Sequence, residues 1–180
     1  MDVLTAIKNR RSVRSYAAKP IPTDLLDRMK AALHSAPSAC NLQPWHFIIV
    51  TDAEIRGRLA VISHDQSWMA DAGAIVAAIG YPEEAYKLMG GHYNSVEIDV
   101  AIALDHMSLA AVAEGLGTCW IGAFDESRVK SLLRIPEDVR VIAMMTLGYP
   151  SDDRLNAPIT DDQRKSHREV FSENTYQKPA

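Results

Sequence analysis

Apolar residues recur along this chain in two ways, at helical spacing on some stretches and as short unbroken runs on others, and the alternation of the two predicts its elements. Val3, Leu4, Ala6 and Ile7 form a helical stripe behind Asp2, whose carboxylate is suited to cap a short first helix. After the break Pro20-Ile21-Pro22, a second helix capped by Thr23 is predicted through about His34. In it Leu25, Leu26, Met29, Ala32 and Leu33 keep the spacing of a buried face. Phe47-Ile48-Ile49-Val50, ended by Thr51-Asp52, predicts a buried strand. Asp52 then caps a helix carrying Ile55, Leu59 and Ile62, and a second strand runs from Ala74 to Tyr81.

Residues 82–94 have no clear period, and Gly90-Gly91-His92-Tyr93-Asn94 reads as a mobile loop or a break between helices. A long, alanine-rich helix follows from about Val96 to Glu114. Its apolar residues spread around much of its circumference, which places it in the middle of the protein or at a subunit interface. Asp99, Asp105 and His106 interrupt that surface and read as solvated or satisfied polar groups; no metal site is expected. Gly115-Leu116-Gly117 ends the helix and Thr118 to Ile121 begins a strand. Asp125 caps a helix with Val129, Leu132 and Leu133, which Pro136 ends, and Val139 to Leu147 is the last and longest strand. Residues 1–150 thus read as a single domain. Residues 151–180 have hardly any apolar periodicity and form either a disordered tail or an extended arm ordered by a partner.

Between the second helix and the first strand lies a joint, Ser35-Ala36-Pro37-Ser38-Ala39-Cys40-Asn41-Leu42-Gln43-Pro44-Trp45-His46-Phe47. Two prolines, small residues and two side-chain amides make it rigid. It is either a tight helix-to-strand connection or a platform whose amides, hydroxyl and free backbone groups meet a planar polar ligand.

Composition narrows the class. At 180 residues, 47% hydrophobic and 23% charged, the chain is an ordinary single globular domain. Cys40 and Cys119 are its two cysteines, without a CxxC pair, which fits a reducing compartment. No apolar run approaches the roughly 20 residues that cross a bilayer, so a cytoplasmic, membrane-free protein is expected. The net charge of −4 argues against nucleic-acid binding. Yet five of the cations, Lys8, Arg10, Arg11, Arg14 and Lys19, fall in residues 1–20 against Asp2 alone. In an extended segment Arg10, Ser12 and Arg14 share one side, where two guanidiniums flanking a hydroxyl suit a single phosphate. A solvated basic face is the other reading. The order helix, glycines, strand at residues 115–121 is the reverse of a phosphate-binding dinucleotide loop, which disfavours a dinucleotide-binding fold.

Taken together, RRSVRSY near the N-terminus, APSACNLQPWHF, EGLGTCWIGAF, LGYP and the late Arg164-Lys165 resemble the FMN-dependent nitroreductase family over essentially the whole chain. The resemblance implies an α+β fold, with a central, mainly antiparallel sheet flanked by helices. It implies an intertwined homodimer with two FMN sites at its interface, and a C-terminal arm, residues 151–180, reaching the other subunit. Carried over, Arg10, Ser12 and Arg14 hold the FMN phosphate and ribityl chain, with Arg11 adding backbone or charge and Arg164 and Lys165 completing the clamp. Pro37, Ser38, Ala39, Asn41 and Gln43 reach the flavin from the neighbouring subunit, Gln66 turns an amide towards the ring, and Trp120, Ile121, Gly122 and Ala123 pass beside it. No catalytic acid or base is implied, since hydride transfer belongs to the flavin.

The implied activity is hydride transfer from NADH or NADPH through FMN to a nitroaromatic, quinone or related small acceptor, by a ping-pong mechanism. Three other readings stay open. One is a flavin-binding or storage protein, another a specialised superfamily member such as a dehalogenase or enone reductase. The third is a non-catalytic dimeric interaction module.

Overall fold

Four strands pair antiparallel: Trp45–Val50 (β1), Ala74–Gly80 (β2), Gly117–Ile121 (β3) and Arg140–Gly148 (β4), in the order β1-β2-β4-β3. The computed structural model describes residues 1–178; the last two positions of the expected arm, Pro179 and Ala180, lie outside the described residues. The helices are Val3–Asn9 (α1), Thr23–His34 (α2), Ala53–Ile62 (α3), Val96–Ala113 (α4), Glu126–Leu133 (α5) and the single turn His167–Val170 (α6).

β2 is apolar at six of its seven positions, glycine at the seventh, and buried at all of them, so the sheet has no solvent face at its centre. Alternation sorts its side chains. Ala74, Val76 and Ala78 join Met145 and Leu147 under α2 and α4, while Ile75, Ala77 and Ile79 join Met144, Cys119 and Ile121 under α3 and α5. Pairing of Ala78 with Ala143 and of Ile79 with Val141 leaves Ile142 as an extra residue, and this bulge changes the phase of β4. Val141 therefore packs on the α3/α5 side and Ala143 on the α4 side.

The β3 edge is partly covered by the N-terminal segment. Val13 N–H donates to the Thr118 carbonyl at 2.9 Å, Ser12 bridges Thr118 in parallel, and Ala17 N–H donates to Tyr149 O at 3.0 Å. Val13 and Tyr16 point inwards, and Tyr16 stacks on Trp68 with ring centroids 6.3 Å apart. The Tyr16 hydroxyl donates to Val13 O at 2.8 Å and lies 2.7 Å from Thr146 Oγ1; burial pushes its pKa well up.

Asp2, Asp52 and Asp125 cap α1, α3 and α5 as expected, each accepting a backbone N–H three residues on. Thr23 is not a cap. Pro22 holds that position with φ −58° and ψ 149°, and Thr23 is the first helical residue. The first strand begins at Trp45, two residues before the unbroken apolar run, because Trp45 pairs with Gly80. α5 ends at Leu133, before Pro136, where Arg134 turns left-handed at φ 57°. Cys40 is exposed and Cys119 buried. Among the described residues no helix is long and apolar enough to cross a membrane, and no group of three or more His, Cys, Asp or Glu could hold a metal.

At the end of β4 the chain passes very close to the turn before β2. A Cβ added at Gly148 would stand 2.8 Å from the Gly73 backbone nitrogen and 2.9 Å from Tyr16 Cδ1, whereas one at Gly57 in α3 meets nothing within 4 Å. Gly148→Ala should therefore destabilise by about 1–3 kcal/mol through overpacking. Gly57→Ala should stabilise by about 0.5–1 kcal/mol through helix propensity. Urea unfolding of both variants checks the opposite signs; a neutral Gly148→Ala would contradict the close approach.

Candidate functional site

The basic segment leaves α1 in extended form. Its alternation buries Val13 and leaves Ser12 and Arg14 exposed on either side of it, with Arg10 partly covered. Arg11 is folded back: its Nη1 donates to Lys8 O at 3.0 Å and Arg10 O at 3.1 Å, satisfying the carbonyl end of the short helix. Arg164 comes to the same place from the other end of the chain. Ile159 N–H donates to Lys8 O at 3.0 Å, the 3₁₀ turn Asp161–Gln163 follows under a Thr160/Gln163 capping box, and Arg164 emerges beside Arg11. Partial burial, and then the charges of Arg10 and Arg164, hold the Arg11 pKa below the usual guanidinium range.

Arg10, Arg11, Arg14 and Arg164 form no ion pair among the described residues. Like charges gathered without a carboxylate repel one another, and an anion bound among them relieves that repulsion. Lys165 is exposed and makes no hydrogen bond or ion pair among the described residues. Beside the cluster Thr118 Oγ1 is buried without a hydrogen-bond partner. The Cys119 thiol also lies near it; burial pushes its pKa up against the opposing pull of Arg14, Ser12 and Arg10, so it stays a neutral packing group.

From Thr118 the strand β3 leads along Trp120, which is partly buried, and Ile121, which is in the core, to Gly122 and Ala123, which are exposed. A Cβ placed on Gly122 meets nothing within 4 Å, so the backbone there can be approached closely. Gln66 sits at the end of α3, where its Nε2 donates to Ser63 O at 2.9 Å and its N–H to Ala60 O at 3.2 Å. Its amide nitrogen is thus engaged in closing that helix.

The joint is a strained turn. Cys40, Asn41 and Gln43 all take positive φ, 50°, 56° and 52°, a conformation that is unfavourable by about 1–3 kcal/mol for each non-glycine residue. Ser38 Oγ accepts the Gln43 N–H at 2.8 Å, and Gln43 Nε2 donates to the Asn41 backbone O at 3.2 Å and to Asn41 Oδ1 at 3.4 Å, so the two side-chain amides are tied together at the surface beside exposed Pro37. Ala39 N–H donates to Asp99 Oδ1 at 2.9 Å; Asp99, 2% exposed, reaches it from the first turn of α4. The other oxygen of Asp99 accepts the Ser95 hydroxyl at 2.7 Å. Sequence reasoning left Asp99 among the solvated or satisfied polar groups without assigning it a role. The available signal was an acid in the first turn of a largely apolar helix with a serine four residues before it.

Apart from Gln66 at the end of α3, the expected site residues therefore fall into two clusters. The joint precedes β1, one edge of the sheet; the basic segment, Arg164 and the Trp120–Ala123 stretch lie at β3, the opposite edge. β2 and β4 separate these edges, a width of about 14 Å at the usual strand spacing.

A family model described as the nitroreductase family matches residues 7–93 and 63–149. A provisionally named NADH dehydrogenase/NAD(P)H nitroreductase of Methanothermobacter thermautotrophicus is 34% identical over 168 residues, 91% of this chain and 85% of that protein. Among solved structures, a nitroreductase family protein of Clostridium novyi NT is 31% identical, covers 94% of this chain and 91% of its own, and superposes with a TM-score of 0.77. The NADPH:FMN oxidoreductase of Vibrio harveyi, complexed with NAD+, is 26% identical, covers 98% of this chain and 78% of its own, and superposes with a TM-score of 0.82. With its α+β architecture, antiparallel sheet and ordered motifs matched along nearly its whole length, the chain belongs to the nitroreductase family.

Proposed function

We propose that the protein is an FMN-dependent oxidoreductase that passes hydride from NADH or NADPH to a nitroaromatic, quinone or related small acceptor. The observation that carries this reading is the gathering of Arg10, Arg11, Arg14 and Arg164 without a carboxylate among the described residues, near the start of β3, the strand that leads on to the exposed Gly122-Ala123. The donor set fits a phosphate, and the exposed backbone past the far end of the strand fits a planar ring laid against it. FMN supplies hydride acceptance and donation when bound; the chain supplies binding and orientation.

In this reading Arg10, Ser12, Arg14, Arg164 and Lys165 hold the phosphate end, Arg11 adds charge while securing α1, and Trp120, Ile121, Gly122 and Ala123 flank the ring. Gln66 offers its amide oxygen from the end of α3, its amide nitrogen being held by Ser63 O. Pro37, Ser38, Ala39, Asn41 and Gln43 close the site from a second copy of the chain. The separation of the two clusters on opposite sheet edges supports that division, because two copies can present both clusters to one ligand. Exposed apolar side chains on two helices support the same dimer. Val3, Leu4 and Ile7 on α1 are 68%, 70% and 51% exposed, and Ile98 on α4 is 38% exposed. Residues 1–150 are then the body. The arm, which leaves Val170, Phe171 and Tyr176 exposed, is read as lying on the second copy.

Three outcomes are expected. The purified protein should show a flavin spectrum that bleaches on anaerobic addition of NADH or NADPH; a colourless protein that ignores added FMN would return the reading to a dimeric interaction module, and a flavin that resists both nicotinamides would make it a storage protein. Arg14→Ala should weaken FMN binding by about 1.5–3 kcal/mol, the range for a hydrogen bond to a charged group, read by fluorescence titration of apoprotein. Unchanged retention would remove Arg14 from the clamp. Double-reciprocal plots of nicotinamide against acceptor should be parallel, since one site serves both in turn; intersecting lines would sink the ping-pong mechanism.

A further inference from the structure

Residues 82–94 and the joint leave the sheet at the same end. Gly80, the last residue of β2, pairs with Trp45, the first of β1, and Tyr81 N–H donates to Pro44 O at 2.9 Å. From there the loop carries Tyr86, Leu88 and Tyr93 with their side chains exposed, and closes on itself through Met89 N–H to Tyr93 O at 2.8 Å. It returns to α4 at Ser95, which is fully buried and engaged on both sides. Ser95 N–H donates to Tyr86 O at 2.9 Å, and Ser95 Oγ accepts the Tyr86 N–H at 3.2 Å. The same hydroxyl donates its proton to Asp99 Oδ2 at 2.7 Å, and Asp99 Oδ1 accepts the Ala39 N–H of the joint at 2.9 Å. An unbroken hydrogen-bonded path thus runs from Tyr86 through Ser95 and Asp99 to Ala39.

The central link, Ser95 to Asp99, is short and buried and the two outer links are partly buried, so removing the Ser95 hydroxyl leaves an unsatisfied carboxylate oxygen in the interior. At the joint end the path meets the strained residues Cys40, Asn41 and Gln43, a turn whose φ values need outside support. At the loop end it meets a segment that is pinned to the core at Ala85 but leaves Tyr86, Leu88 and Tyr93 exposed, with Tyr93 packed edge-on against His92 of the same loop at 5.0 Å. We infer that Asp99 and Ser95 are positioning residues that couple the joint to the 82–94 loop, so that seating FMN against the joint orders the loop. The inference rests on the FMN reading of the joint, and it assigns to the same site a coupling element that touches neither cofactor nor acceptor.

A second tie at the base of the loop serves as the control. Asn94 Nδ2 donates to Pro82 O at 2.8 Å and Asn94 Oδ1 accepts the Val96 N–H at 2.9 Å, which secures the loop without passing through Asp99.

The test is amide hydrogen exchange of apoprotein with and without FMN, on wild type, Ser95→Ala and Asn94→Ala. At FMN about 100-fold above its Kd, a segment closed by binding exchanges up to about 100-fold more slowly. In wild type the amides of residues 39–43 and 86–93 should both slow. Ser95→Ala keeps the Ala39–Asp99 bond, so slowing at 39–43 should persist while most of the slowing at 86–93 is lost. Asn94→Ala should raise the basal exchange of the loop yet keep its response to FMN.

Protection of the joint without protection of the loop in wild type overturns the coupling, whatever the variants do. So does full loop protection in Ser95→Ala, or equal loss in Asn94→Ala, which would reduce Ser95 to a fastening. Absence of any FMN-dependent change in either segment, with no flavin bound, overturns the FMN reading itself and the coupling with it.

Discussion

Burial of β2 on both faces is the constraint from which the rest of the architecture follows. A strand with no solvent-facing side requires a layer on each side, and the chain supplies α2 with α4 on one and α3 with α5 on the other. Once both faces are covered, surface remains for chemistry only at the edges and ends of the sheet. The basic segment takes the β3 edge and the joint takes the start of β1. The division of the proposed site into two clusters is thus a consequence of how the core is filled.

At both clusters the chain accepts an unfavourable local arrangement that the surrounding structure holds in place. At the β3 edge it is electrostatic: guanidiniums from residues 10–14 and from residue 164 are gathered in the absence of any paired carboxylate among the described residues. The Ile159–Lys8 bond and the return of Arg11 onto α1 keep them there. At the joint it is conformational: three left-handed residues within four positions are held by Ser38, by the amide tie between Asn41 and Gln43, and by Asp99. Local rules broken under tight support single out candidate functional places.

Much of this was legible in the sequence because it depends on near neighbours. Helical stripes, the three aspartate caps, the strands and the glycine-ended α4 are set by residues a few positions apart, and each lies within a few residues of its expected place. The family is legible for a related reason: its motifs are local strings kept in a fixed order. The misplacements are local as well. Thr23 failed as a cap because Pro22 already fixes the entry geometry, and β1 started early because a cross-strand pair outweighs side-chain character at a strand end.

What the tertiary structure alone decided are the contacts between residues distant in the chain. The strand order, which sends the joint and the basic segment to opposite edges, is a matter of non-local pairing that periodicity does not encode. The bulge at Ile142, which changes the face of β4, arises from register against β2. Arg164 reaches Arg11 only because the chain after β4 runs back along the N-terminal segment. Asp99 acquires its role from an amide sixty residues away. An acid in an apolar helix is read from sequence as a polar interruption; which donors it meets is set by the packing of α4 against the sheet, and that packing exists only in the folded chain.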